Sequence, residues 1–521
     1  MTHQKSERRV LPKVRRKPCV TTGRESLRGG KATPVEQRTG QLVLSFETAE
    51  NRGKPRANVV GAASLLAPPP NEAPKSKRKY EKPQFATLDA VCMQLDEAFR
   101  RVASNKGAPG PDRRSIDEVR AHWPMLRRTL LESLHNGTYQ PGNIRRVWIP
   151  KAGGGERGLG IPNVIDRVVS EAIRQVLEPL YEPTFHRNSH GFRPGRSCHT
   201  AIAEAKRYLE EGYEYVVDID LENFFNRVHH QRLMARLAER VKDKAVLVVI
   251  GKMLQAKVVM PDGVVVRNDE GVPQGGPLSP LLSNIVLDEL DRELERREHR
   301  FVRYADDCNI YVRSERAGKR VMASVSAFIE GRLRLKVNEG KSAVARPEDR
   351  HFLGFRLRRE PRTGDVQVLL SKRSTGRIGS RIRELTPRNW GGTLKACILQ
   401  LNVYLLGWLG FFGICTPPIQ STLKSLDSHI RRRLRAMTLK DWKRKRTMAR
   451  KLIKLGVSPK TAWRGVYKGR KSLWSLSHAP AVERGLHNAY FAERGLVSLS
   501  ETWWMKAQCS VAPVQLALPL G

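Results

Sequence analysis

The stretch FVRYADDCNIYV, residues 301–312, sets two carboxylates, Asp306 and Asp307, side by side within apolar, strand-like sequence. Adjacent carboxylates repel, and withdrawing them from water is costly unless something compensates. Aspartate also suits turns, so ADD could simply be the tip of an exposed hairpin. A second acidic site, VVDIDLENFF, places Asp218 and Asp220 two residues apart on an expected strand and therefore on one face. A solvated strand end would show the same spacing. With carboxylates presented from two strand sites, a divalent metal is the natural compensation, because hard oxygen ligands suit magnesium and leave open positions for phosphates. Two such metals can activate a primer 3′ hydroxyl and stabilise a leaving pyrophosphate.

The elements that must carry these residues alternate between strand and helix. LDAVCMQLDEAFRRV predicts a helix, with Leu88, Val91, Leu95, Ala98 and Val102 at helical spacing, and NKGAPGPD ends it with turn chemistry. RRVWIPKAGGGERGLGIP, over 145–162, predicts a hairpin around a Gly-rich turn. VIDRVVSEAIRQVLEPLYEP reads as a helix, and EYVVDIDLENFF as a buried strand followed by a turn or short helix. After PQGGPLSP a helix is signalled by Ser279 as cap, Pro280 in the first position and an apolar stripe of Val286, Leu287, Leu290 and Leu294. This block suits an α+β domain. From about residue 375 the sequence becomes helical and very basic.

Composition narrows the partners. The 521 residues allow about three domains. Lys and Arg total 94 against 52 Asp and Glu, a formal charge of +42, which points to nucleic acid. Residues 1 to about 80 predict a disordered basic tail and linker. No basic-then-apolar signal opens the chain, and the richest apolar run, VYLLGWLGFFGIC over 403–415, is shorter than the roughly 18 residues of a membrane span. A buried helix, no membrane association and a cytoplasmic location are expected. The seven cysteines are scattered without a C-x-x-C pair, which argues against a disulfide framework or a zinc finger.

YADD, VVDIDLENFFNRV, PQGGPLSPLLSN and NSHGFRPGRS, with NEGKS (338–342), FLGF (352–355) and IPKAGGGERGLGIP, resemble the ordered motifs of reverse transcriptases encoded by bacterial group II introns. The resemblance covers roughly 88–500. It implies an α+β right-hand polymerase, fingers and palm over 85–365, followed by an α-helical maturase (X) or thumb domain over 366–480. A basic tail over 1–84 and an extension over 481–521 flank them. Position by position it implies Asp220, Asp306 and Asp307 as ligands of two Mg2+ ions, with Asp218 a possible helper. Phe225, five places after Asp220, would contact the nucleotide sugar. Lys151, Arg157 and Lys341 would meet the triphosphate, Gly275 and Gly276 would lie where bare backbone approaches nucleotide or template, and Gln274 of the same loop would contact substrate. Arg193 and Arg196 would meet template or primer backbone. Asn226, Gly158 and Arg113 depart from the family's usual Asp, Pro and Gly, but none of these is a metal ligand.

HIRRRLRAMTLKDWKRKRTMARKL concentrates cations, among them Arg431, Arg432, Arg433, Arg435, Lys443 and Arg444, beside Trp442, Trp463, Tyr467 and Trp474. Phosphate contacts and stacking surfaces thus occur together, although a solvated cationic helix with core tryptophans gives the same pattern. The resemblance makes this segment part of the maturase domain. It implies a protein that binds its group II intron RNA, assists splicing and copies the intron into DNA from deoxynucleoside triphosphates at a DNA target and primer. The ending resembles the class lacking an endonuclease. A retron- or defence-type reverse transcriptase, or a splicing cofactor that does not polymerise, are the alternatives.

Overall fold

The computed structural model describes residues 86–150, 154–468 and 472–509. The expected tail over 1–84 and the expected phosphate contact Lys151 lie outside the described residues. Within them, the strands are β1 (Ile144–Pro150), β2 (Glu156–Ile161), β3 (Tyr215–Ile219), β4 (Val258–Val259), β5 (Val265–Val266), β6 (Arg300–Tyr304), β7 (Asp307–Val312), β8 (Ala343–Ala345), β9 (Phe355–Arg359) and β10 (Val366–Leu370). They form a sheet in the order β2-β1-β4-β5, an antiparallel sheet in the order β6-β7-β3-β8, and the hairpin β9-β10.

The β6-β7-β3-β8 sheet is wedged between two cores. Val217, Ile219, Phe301 and Ile310 face one core, shared with the helices Val164–Tyr181 and Ser279–Arg296. Their strand neighbours Val216, Val302 and Tyr311 face the other, shared with Cys198–Glu210, β9, β10 and the C-terminal helices. Successive side chains of a strand point to opposite faces. With both faces covered, the strands read as continuous apolar runs instead of alternating, and an acidic residue among them stands out.

Three local expectations are corrected. The first helix breaks at Gln94 into Leu88–Met93 and Leu95–Ser104. Ser279 is not a cap but the first residue of its helix, and its hydroxyl donates to the Pro273 carbonyl at 2.6 Å, which closes the PQGG loop on itself. Residues 403–412 of the apolar run lie in a longer helix, Leu394–Phe412, which by length and composition could span a membrane. Leu401, Leu405, Trp408 and Leu409 are buried in the second core, whereas Leu399, Val403 and Leu406 are exposed, so one face alone is buried. Arg113, where the family usually has glycine, has φ 58°, the left-handed conformation that glycine adopts without strain.

The C-terminal helix Leu499–Cys509 is held by Asp427 of the helix Ile419–Asp441. This carboxylate accepts from Leu499 N at 2.8 Å, Ser500 N at 3.0 Å, and the hydroxyls of Ser498 and Ser500 at 3.0 and 2.7 Å. Asp427→Ala leaves these donors without a partner and should lower stability by roughly 2–4 kcal/mol in a urea titration, while Asp427→Asn should cost less.

Candidate active site

β6 and β7 form a tight hairpin in which Tyr304 pairs with Asp307, leaving Ala305 and Asp306 as the turn. Ala305 has φ 57°, a conformation costing an alanine on the order of 1–2 kcal/mol, so the surroundings must hold it. The chief restraint is Arg303, which is fully buried and donates to the Ala305 carbonyl at 2.8 Å. It also pairs with both oxygens of Asp291 at 2.7 and 2.6 Å. β7 continues beside β3, whose Asp218 pairs with Asn309.

Asp220 lies one residue past β3 and is cradled by the NEGKS turn. Its N–H donates to Ser342 Oγ at 3.0 Å, its carbonyl accepts from Asn338 N at 2.8 Å, and Lys341 Nζ lies 3.2 Å from its carboxylate. Asp218 is bound by Arg350, whose Nε and Nη2 both reach Oδ2 at 2.9 and 2.6 Å. That guanidinium also donates to the Lys341 carbonyl, so one cation braces both acidic positions.

The carboxylates share one electrostatic environment. Asp307 is exposed at the start of β7. Even so, loss of water, followed by the charges of Asp306, Asp218 and Asp220, pushes its carboxyl up to about 7. Burial also raises Asp306, opposed by its own backbone N–H and by Arg157. Burial raises Asp218 too, against the pull of Arg350. Carboxylates crowded in this way call for a positive charge among them. Among the described residues, no three His, Cys, Asp or Glu side chains are grouped to hold a metal ion; what the carboxylates offer is oxygen donors alone. That fits a magnesium-type ion, which completes its shell with water and substrate phosphates.

Around the turn, Phe224 is buried while Phe225 is half-buried, so Phe225 is the ring of the pair that can meet a ligand. Its carbonyl accepts from Val272 N at 2.6 Å, joining it to the PQGG loop. Gln274 gives its carbonyl to Gly160 N at 2.7 Å. A Cβ on Gly275, at φ 124°, would lie 2.5 Å from the Gly160 carbonyl. The close approach of β2 therefore itself requires glycine at this position. Arg157 is exposed on β2.

Several expected nucleic-acid contacts are internal. Arg193 is buried, pairs with Glu182, donates to the carbonyls of His186 and Ser189, and lies over the Phe185 ring. Arg435 is buried on the Leu486 carbonyl and Glu483. Arg433 is committed to Thr386 and the Arg383 carbonyl. Arg432 lies over Trp474 at 4.1 Å. Arg196 is half-buried and donates to the Arg187 carbonyl, and Arg431 is half-buried. Lys443 and Arg444 are exposed, with Lys445, Arg446, Arg450 and Lys451 beside them. Sequence reading missed Arg303, Asp291 and Arg350. The available signal was Arg303 itself, a charge inside an apolar strand.

Residues 149–357 match the family described as reverse transcriptase (RNA-dependent DNA polymerase), and 376–455 match the group II intron, maturase-specific domain. The chain is an RNA-directed DNA polymerase of α+β fold with a helical maturase region after it. It belongs to the group II intron-encoded reverse transcriptases and maturases. It is 32% identical over 351 residues to Protein YkfC of Escherichia coli, covering 59% of this chain and 89% of that protein. It is 29% identical over 328 residues to the Group II intron-encoded protein LtrA of Lactococcus lactis, covering 50% of this chain and 54% of LtrA. A putative COX1/OXI3 intron 2 protein of Saccharomyces cerevisiae is 27% identical over 365 residues, with 58% of this chain and 42% of that protein covered.

Because the folded state holds the Asp307 carboxyl above its ordinary range, it favours the neutral form. The resulting stability is full below about pH 4 and is lost as pH rises through about 7. Asp307→Asn should therefore melt higher than the wild-type, metal-free protein at pH 8, with the gap closing toward pH 4. Calorimetry across that range checks this, and a pH-independent gap would contradict it.

Proposed function

We propose that Asp220, Asp306 and Asp307 hold two magnesium ions, and that this centre copies the chain's own group II intron RNA into DNA at a DNA target while the maturase region grips that RNA for splicing. The observation carrying this reading is the placement of Asp306, Asp218 and Asp220 around Asp307, whose carboxyl is pushed up to about 7 by loss of water and then by these charges. Bound metal would supply the charge that acidifies the primer 3′ hydroxyl and offsets the leaving pyrophosphate. Arg157 meets the triphosphate from the β2 side by charge-assisted contacts, and Lys341, released from Asp220, approaches it from the opposite wall. The Phe225 ring packs beneath the sugar, where a 2′ hydroxyl would clash and find no hydrogen bond. The exposed cations from Lys443 to Lys451 hold RNA phosphates, with Trp463 and Tyr467, both partly exposed, as stacking surfaces.

Primer extension on an RNA template, run beside splicing of the flanking intron RNA, tests this directly. Asp306→Asn should abolish DNA synthesis and spare RNA affinity; synthesis retained in that variant would sink the assignment. Phe225→Ala should raise ribonucleotide incorporation relative to deoxynucleotide by about ten- to several-hundredfold, and the same relaxation in Phe224→Ala alone would shift the sugar contact to the neighbouring ring. Replacing Lys443, Arg444 and Arg446 together by Ala should flatten the salt dependence of RNA binding by about 0.7–0.9 in logarithmic slope per lost phosphate contact. An unchanged slope would reduce these residues to a solvated face.

A further inference from the structure

Arg303 and Asp291 are 1% and 0% exposed, and the guanidinium uses all its donors. Nε and Nη2 meet Asp291, Nη1 donates to the Ala305 carbonyl at 2.8 Å and to Asn284 Oδ1 at 3.1 Å, and Nη2 reaches Ser189 Oγ at 2.7 Å. Well-packed apolar side chains often match or exceed a buried ion pair in stability, so stability alone does not account for this arrangement. What it does provide is geometry. The gripped carbonyl belongs to the left-handed residue immediately before Asp306.

The partners of Arg303 lie on two further elements. Asp291 and Asn284 belong to the helix Ser279–Arg296, whose first residue closes the PQGG loop. Ser189 belongs to a strap that runs parallel to β6. There the Arg303 N–H donates to the Asn188 carbonyl, and the Arg303 carbonyl accepts from His190 N, both at 2.9 Å. The strap passes so close to the turn that a Cβ on Gly191 would lie 2.3 Å from Ala305 N, and Asn284 Nδ2 donates to the Gly191 carbonyl at 2.9 Å. A continuous path of hydrogen bonds therefore runs from β2, through Gln274 and the PQGG loop, along the helix and into the acidic turn.

We propose that Arg303 is a positioning residue that locks the Asp306–Asp307 turn to the helix carrying the PQGG loop, so that the nucleotide-side loop and the carboxylates hold one fixed spacing. The inference rests on the reading of those carboxylates as the polymerase centre. Arg303→Lys keeps the charge but loses the fork that serves Asp291, Asn284, Ser189 and Ala305 at once.

The test is single-nucleotide incorporation on an RNA template by the full chain, with deoxynucleotide and metal concentrations varied well below each variant's melting temperature. Arg303→Lys should lower kcat by about ten- to a hundredfold, leave KM for the nucleotide within about threefold, and raise the magnesium needed for half-maximal rate several-fold. Ser189→Ala, which removes one arm of the fork, should give a weaker form of the same pattern and covers the case in which Arg303→Lys does not fold. Leu134→Ala, a buried core change in the helix Trp123–His135, provides a stability-matched control and should leave kcat and the magnesium requirement in place. If the folded Arg303→Lys and Ser189→Ala variants behave like that control, the positioning role is wrong. Should Asp306→Asn itself retain synthesis, the polymerase reading fails instead, and the two failures are distinguishable.

Discussion

Mutual repulsion among the carboxylates at one end of the β6-β7-β3-β8 sheet is the constraint around which this region is built. Two of the four carboxylates have a cation committed to them. Asp218 takes Arg350, Asp220 takes Lys341, and Asp306 lies in the field of Arg157. At Asp307, loss of water and then the charges of three neighbours outweigh the weaker pull of Lys341, and its carboxyl rises. The site is thus short of positive charge at the position a metal ion would supply. Lys341 and Arg350 hold the site together through contacts that a bound ion or a triphosphate could compete for.

The sheet tolerates this because its two faces are buried in different cores, which leaves the strand ends as the place where charge can remain near water. The second core also fixes the helical region to the sheet. Phe355 of FLGF stacks on Phe411 and lies against Phe412 of the helix Leu394–Phe412, Ser374 Oγ donates to the Gly354 carbonyl at 2.8 Å, and His199 on the other side meets the Phe411 carbonyl at 2.7 Å. The cationic surface after Trp442 is therefore carried by elements anchored to the same sheet that carries the carboxylates.

Much of this was legible in the sequence. The hairpin at 145–162, the strand ending at the DID segment and the ADD turn are local patterns, set by turn chemistry and runs of apolar residues. What was not legible depends on distant partners. Arg193 and Arg435 read as surface cations because nothing nearby in sequence reveals that Glu182 and Glu483 will bury them. Ser279 carries a cap signature, but its hydroxyl turns to the Pro273 carbonyl because the PQGG loop folds back over the helix start. Nothing near Gly275 in the sequence reveals that β2 will pack against it. Arg303 could have been suspected from its place in an apolar strand, yet its partners lie 12 and 114 residues away.

We propose that the carboxylates of Asp220, Asp306 and Asp307 require a divalent cation, while Asp218 is already satisfied by Arg350. Manganese binding followed by electron paramagnetic resonance, on full-length protein without nucleic acid, tests it without relying on catalysis. Saturable binding in the wild type, retained in Asp218→Asn and strongly weakened in Asp307→Asn, is the predicted result; equal binding in wild type and Asp307→Asn would show that these carboxylates hold no ion.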